Sequence, residues 1–452
     1  MERKRARREK TLENFGALCS FHIYLSFLLV GSGCGWLLSN ALYNAMANKP
    51  ELTKDGKTFG EFSIIQGCVG LFSAVFYFTW TCKCPDAISL RRQQIMIYCL
   101  ILFNMAYCIL LSNYWSAGAG YSFFVSAFVA AQLVGNFTIF LLFPMVSTYY
   151  AGWLVAPVRA GTDLSSLFAT FLAQAENPHP GSGNLSFSLS TLFLIYAALC
   201  LVGLLAWMSV TYFGTGLRYE IDKEEGTVEL SESEDESEEQ SSHIMGSEGD
   251  SDVRECTVQK IRPALRGLAC PPQLVMPVVF AVLSQVAQWG VASSLGQIGA
   301  VSTDPVSCKG SAGESVFRYA LTSSQVLVPL GSFMSSSMPC PRSVFYVLAA
   351  VQLMSGVLIL SAATGIGLSA WRTSVGQQLY IVCFGLVGGL EGYLLTMAYR
   401  YIGDAVDVTG ARRQSASRLL SLLGVVVVNP IALLLGALLS AGQIRCTDPT
   451  LM

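Results

Sequence analysis

The sequence predicts an all-α polytopic membrane protein of about eleven transmembrane helices, arranged as two lobes of six and five. Three observations lead there. Of 452 residues, 52% are hydrophobic and 13% charged, whereas a soluble chain runs nearer a quarter charged. Fourteen of the 30 Asp and Glu residues fall between Glu220 and Asp252, so the rest of the chain is poorer still in charge. Apolar runs of about 20 residues recur throughout, each long enough as a helix to cross roughly 30 Å of hydrocarbon. This composition argues against a soluble enzyme, a nucleic-acid binder and a secreted disulfide scaffold.

Taken in order, residues 1–16 carry Arg3, Lys4, Arg5, Arg7, Arg8 and Lys10. They read as a cytoplasmic anchor, because the apolar stretch that follows is too long for a signal sequence and has no small-residue cleavage site. Lobe one covers 17–213, with spans at 17–41, 60–80, 93–112, 119–145, 150–173 and 187–213. Lobe two covers 272–441, with spans at 272–299, 317–336, 343–363, 376–399 and 416–441. Between them lies a cytoplasmic loop, 214–271, whose run at 229–239 repels itself and has nothing to bury, so it is expected to be disordered. It reads as a solvated linker, with a phosphorylatable regulatory segment as the alternative. Residues 442–452 form an outer tail.

Orientation follows from the basic residues. With the N-terminus cytoplasmic, 20 Lys and Arg lie on that side and seven outside, as the positive-inside rule requires. The sequon Asn184-Leu185-Ser186 then falls outside and is a glycosylation site. Cys308 and Cys446 share that oxidising side, either paired or as free thiols.

Polar groups inside spans are the informative ones, since at mid-bilayer they need a cavity or a partner. In the first span Trp36, Asn40, Tyr43 and Asn44 follow the spacing of one helical face. This combination of aromatic and amide groups suits the wall of a site for a planar polar solute, or an aromatic anchor at the interface. Gly31, Gly33 and Gly35 read as contacts for close helix packing. Gln132, Asn136 and Thr138 lie in the fourth span, where amides serve a solute or a neighbouring helix equally well, and Pro144 is expected to kink or end that helix. Arg159 and Asp163 stand four residues apart in the fifth span, the spacing of an ion pair on one face. Gln285, Gln288, Trp289 and Gln297 run along the seventh. Glu391, flanked by glycines in the tenth, reads as a coupling group or as a protonated carboxyl bonded to a neighbouring helix. Asn429-Pro430 reads as a kink.

No phosphate-cradling loop or hydrolase nucleophile motif occurs, and Cys82-x-Cys84 with three scattered histidines makes no zinc site. No cofactor is expected. Six spans, a long loop and five more outline a two-lobed transporter, whose substrate site lies near the midplane between the lobes.

Several segments resemble the eukaryotic riboflavin transporter family. They are Gly31-Ser32-Gly33-Cys34-Gly35-Trp36 through Asn40; Gly67-Cys68-Val69-Gly70-Leu71; Asn136-Phe137-Thr138 through Phe143-Pro144; Gly161-Thr162-Asp163-Leu164-Ser165-Ser166; and Trp289-Gly290-Val291 through Ser294. The chain departs from that family where its glutamate falls at Thr162, beside Asp163, where its asparagine is Trp289, and where its proline is Ser293. The resemblance implies an eleven-span carrier, N-terminus inside, moving riboflavin or a similar planar heterocycle across the plasma membrane. Trp36, Asn40, Tyr43, Asn136, Thr138, Gln288 and Trp289 are then the expected lining, and Arg159, Asp163 and Glu391 the gating or coupling groups. A nucleoside or nucleobase carrier, and a receptor or scaffold that transports nothing, are the competing readings. The partners expected are a small-molecule substrate and the lipid bilayer, with no nucleic acid.

Overall fold

The computed structural model describes residues 21–48, 57–83, 90–116, 121–150, 152–176, 186–213, 270–304, 311–405, 408 and 410–440. The basic N-terminal segment, Tyr43 and Asn44 as side chains, Asn184, most of the acidic loop, Cys308, Cys446 and the C-terminal tail lie outside what is described. Every span predicted from the sequence is mainly helical as far as it is described, with breaks at Gly35-Trp36 and at the starts of the fifth and sixth spans, and no strand occurs among the described residues.

The first rod is bent. Helix α1 (Phe21–Cys34) gives way at Gly35-Trp36 to α2 (Leu37–Asn48). Lobe one continues with α3 (Lys57–Lys83), α4 (Leu90–Ser116), α5 (Tyr121–Tyr149), α6 (Val155–Glu176) and α7 (Leu189–Phe213). Lobe two opens with α8 (Pro272–Gln285), a π-helical turn (Val286–Ala292) and α9 (Ser293–Ser302), which together form one rod. It closes with α10 (Ser311–Ser337), α11 (Arg342–Thr364), α12 (Ser374–Gly403) and α13 (Gly410–Ser440). Pro144 does not end α5, which runs on to Tyr149.

Among the described residues, eight helical rods are long and apolar enough to cross a membrane. Their outer faces carry exposed Phe72, Phe76, Leu205, Met208, Val347 and Met354, the apolar belt expected of a surface that meets lipid. Helices α6 and α10 fall short for a physical reason. Helix α6 packs against α2, α10 and α12, and α10 packs against α6, α12 and α9, so Arg159, Asp163, Ser324 and Ser332 face protein.

The glycines of α1 pack as the sequence suggested. A Cβ at Gly31 would lie 2.2 Å from Val158 O, and one at Gly35 would lie 2.1 Å from Thr162 Cγ2. From the other side, a Cβ at Gly161 would lie 2.0 Å from Leu28 O. The backbones of α1 and α6 therefore touch, which fixes the helix that carries Arg159.

The lobes meet along two seams, α3 with α13 and α6 with α10. A third contact closes the proximal end, where the chain enters α1. Phe27 and Tyr24 meet Tyr150 and Trp153 at this end. Here α5 meets α12 and α13. Phe143 stacks on Tyr399 with ring centroids 5.4 Å apart, and Gln414 Nε2 donates to Tyr149 OH at 3.2 Å. Ser147 bonds Ser417, and Ser421 Oγ donates to Ile139 O at 3.2 Å.

Candidate functional site

Between the lobes lies a cavity that is partly open to solvent. Lobe one contributes Trp36, Asn40, Gln66, Gln132, Asn136 and Arg159; lobe two contributes Gln285, Trp289, Tyr399 and Asn429. Two indoles from opposite lobes thus share a wall with six carboxamides.

Each lining side chain is placed by its local fold. The bend at Gly35-Trp36 puts Trp36 at the start of a new helix and lets its ring lie on the bare backbone of α5. A Cβ at Gly135 would stand 2.5 Å from Trp36 Cε3. One turn on, Asn40 Nδ2 donates to Ser166 Oγ, tying α2 to α6. Gln132 Nε2 donates to Ser39 Oγ at 2.8 Å, while its buried Oε1 has no partner. Across the cavity, Gln285 lies over Gly424, where a Cβ would stand 2.5 Å from its Oε1.

The wide π turn carries Trp289 from the cavity wall towards α12. One extra residue in a turn re-aims side chains, and such turns are frequent at functional sites. The Ser293 hydroxyl donates to Gln288 O across it at 2.8 Å.

At the floor lies a buried ionic group. Arg159 Nη2 donates to both oxygens of Glu391, at 2.9 and 2.7 Å, and pairs with Asp163 Oδ1 at 3.1 Å. The three side chains are 3%, 0% and 5% exposed. Ser332 Oγ donates to Asp163 Oδ2 at 2.7 Å, and Trp289 Nε1 donates to Glu391 Oε1 at 3.3 Å. Charges so deep persist only when paired and hydrogen-bonded, and this group is paired across the lobes. Arg159 and Asp163 belong to α6; Glu391, Trp289 and Ser332 belong to lobe two. Arg159 Nε keeps no partner.

The sequence-derived residues divide as follows. Trp36, Asn40, Asn136, Trp289 and Arg159 line the cavity together. Thr138 and Gln288 do not. The Thr138 hydroxyl donates to Cys34 O and Val134 O, holding the end of α1, and Gln288 Nε2 donates to Ser324 Oγ on α10. Asp163 forms the expected i,i+4 pair. Glu391 is held by Arg159 and Trp289, where the sequence left it as a coupling group or a protonated carboxyl. Asn429, expected only to kink its helix, lines the cavity, as do Gln66 and Tyr399, which the sequence did not single out. For Gln66 the available signal was an amide in an otherwise apolar run.

No protein-family model matches the chain, and no curated protein matches it. Solved structures do. A proton:xylose symporter of the major facilitator superfamily, bound to 6-bromo-6-deoxy-D-glucose, is 12% identical with a TM-score of 0.55, over 94% of this chain and 89% of that one. A bacterial homologue of the iron transporter ferroportin, in an outward-facing state, is 15% identical with a TM-score of 0.50, over 93% and 91%. The chain therefore has the two-lobed helical fold of major facilitator superfamily transporters.

Proposed function

We propose that this protein is a membrane transporter that moves a planar, polar heterocycle by alternating access, with riboflavin as the leading substrate. One observation carries the reading: a cavity between the lobes in which two indoles face polar groups, among them the Gln132 Oε1, that have no partner in the protein. Within the described structure the amides of Asn136 and Gln285 have no side-chain hydrogen bond, and Gln132 Oε1 and Arg159 Nε have no partner. Aromatic faces offer apolar contact to a flat ring, and convergent polar groups orient a ligand in a pocket. Amides that are both donor and acceptor suit a neutral solute carrying both. The solved transporters of this fold, a proton:xylose symporter among them, support alternating access, and the resemblance in the first, fourth, fifth and seventh spans supports riboflavin.

The same reading places the protein in the plasma membrane, with the proximal end cytoplasmic and Asn184 glycosylated outside. The test is uptake of labelled riboflavin into cells expressing the chain, with excess unlabelled riboflavin and adenosine as separate competitors. Saturable uptake blocked by riboflavin alone is the expected result. Block by adenosine would assign the cavity to nucleosides, and no uptake with the protein verified at the surface would overturn the substrate.

A further inference from the structure

We propose that Trp289 is a positioning residue that couples occupation of the cavity to the lock between the lobes. Its indole lines the cavity while its N–H holds Glu391, the lobe-two partner of Arg159. The inference rests on the proposed transport reading and says how one residue of that site acts.

The geometry is specific. Glu391 accepts from two donors on different lobes, Arg159 Nη2 on lobe one and Trp289 Nε1 on lobe two, and both reach Oε1. The indole N–H therefore aims the carboxylate at the guanidinium. Trp289 sits within the π turn at Val286–Ala292, between α8 and α9, where the backbone departs from the regular helical ladder. A ring stacking on the indole presses on a side chain whose other edge carries that hydrogen bond. Moving the indole withdraws a donor from Glu391 and loosens its hold on Arg159. Ligand binding and lobe separation thereby act on one carboxylate, the differential contact that a ligand-driven conformational change requires.

The test uses the full chain in lipid nanodiscs and the substitution Trp289→Phe, which keeps an aromatic face and removes the N–H. Without ligand, amide exchange should rise roughly tenfold in 139–149 and 414–421, the segments that close the proximal end, as loss of a hydrogen bond to a charged group predicts. With riboflavin, wild type should show faster exchange in those segments on binding. W289F should bind within about threefold of wild type, show little further change, and lose most uptake.

Unchanged ligand-free exchange in W289F overturns the coupling. So does a riboflavin response equal to wild type, or loss of binding as complete as in W289A. If wild type binds no riboflavin, the substrate assignment fails, while the ligand-free comparison still decides whether the Trp289 N–H supports the lock. Should W289F fold poorly, Glu391→Gln gives the second comparison. It removes the ion pair from the other side and should raise exchange in the same segments. Exchange in E391Q equal to wild type refutes the lock.

Discussion

The side-chain amide of Asn429 fills the space that a Cβ at Gly70 would need. That carbon would stand 2.1 Å from Asn429 Nδ2 and 2.3 Å from its Cγ. The amide is held in this notch by donating to Val425 O at 2.7 Å, and it faces the cavity from there. One seam between the lobes is thus also part of the cavity wall.

Gly70→Ala should therefore act through Asn429. Displacing the amide costs its hydrogen bond and its place in the wall, so G70A and N429A should lower uptake alike, and the double variant should add little. Gly67→Ala should behave differently, because its Cβ would lie 2.8 Å from Leu433 Cβ and 2.9 Å from Asn429 O. Backbone cannot swing aside, so G67A should lose about 1–3 kcal/mol by overpacking and show as reduced abundance and a lower Tm.

Asn136 and Thr138 are two residues apart, and the structure assigns them different work. Asn136→Ala should raise KM for uptake about tenfold, the scale of one lost polar contact, with surface abundance unchanged. Thr138→Val removes a bond from the end of α1. It should cost about 1 kcal/mol of stability and leave KM at the wild-type value.

Arg159→Ala should be the most damaging change in the site. It strands two carboxylates in a buried group, and breaking such a pair costs about 3–5 kcal/mol. Little folded protein should reach the membrane. Glu391→Gln in the same chain should restore part of the abundance without restoring uptake. Quantitative blotting of membrane fractions, with uptake normalised to it, separates the two effects.

Asn184→Gln should abolish a mobility shift on glycosidase treatment. Absence of such a shift in the wild-type chain would contradict the proposed orientation, in which that loop is outside.

The spans were legible because a bilayer imposes a length and a composition on each. Trp36, Asn40, Asn136 and Trp289 were legible because an aromatic or an amide in an apolar run asks for a reason. The Arg159–Asp163 pair could be read from spacing alone. Glu391 could not be matched to Arg159, since the two are 232 residues apart and join only when the lobes do. Thr138 and Gln288 lie off the cavity wall because of local geometry. A threonine in a helix readily bonds the carbonyl four residues back, as Thr138 does, and the π turn breaks the regular spacing on which a helical-face argument depends. Asn429 gained its role from a glycine on another helix, a relation that a linear pattern does not contain.

Helix α6 owes its place to its neighbours in a further sense. Arg159 and Asp163 sit in its proximal half, and each such charge costs about 2.5–3.5 kcal/mol when a helix enters a bilayer alone and carries it at its centre. The second carboxylate that shares Arg159, Glu391 of lobe two, is synthesised more than 200 residues later. Until lobe two is made, the bare glycine face of α1 is the surface against which α6 packs. Truncated chains ending after α7 should be substrates for membrane quality control.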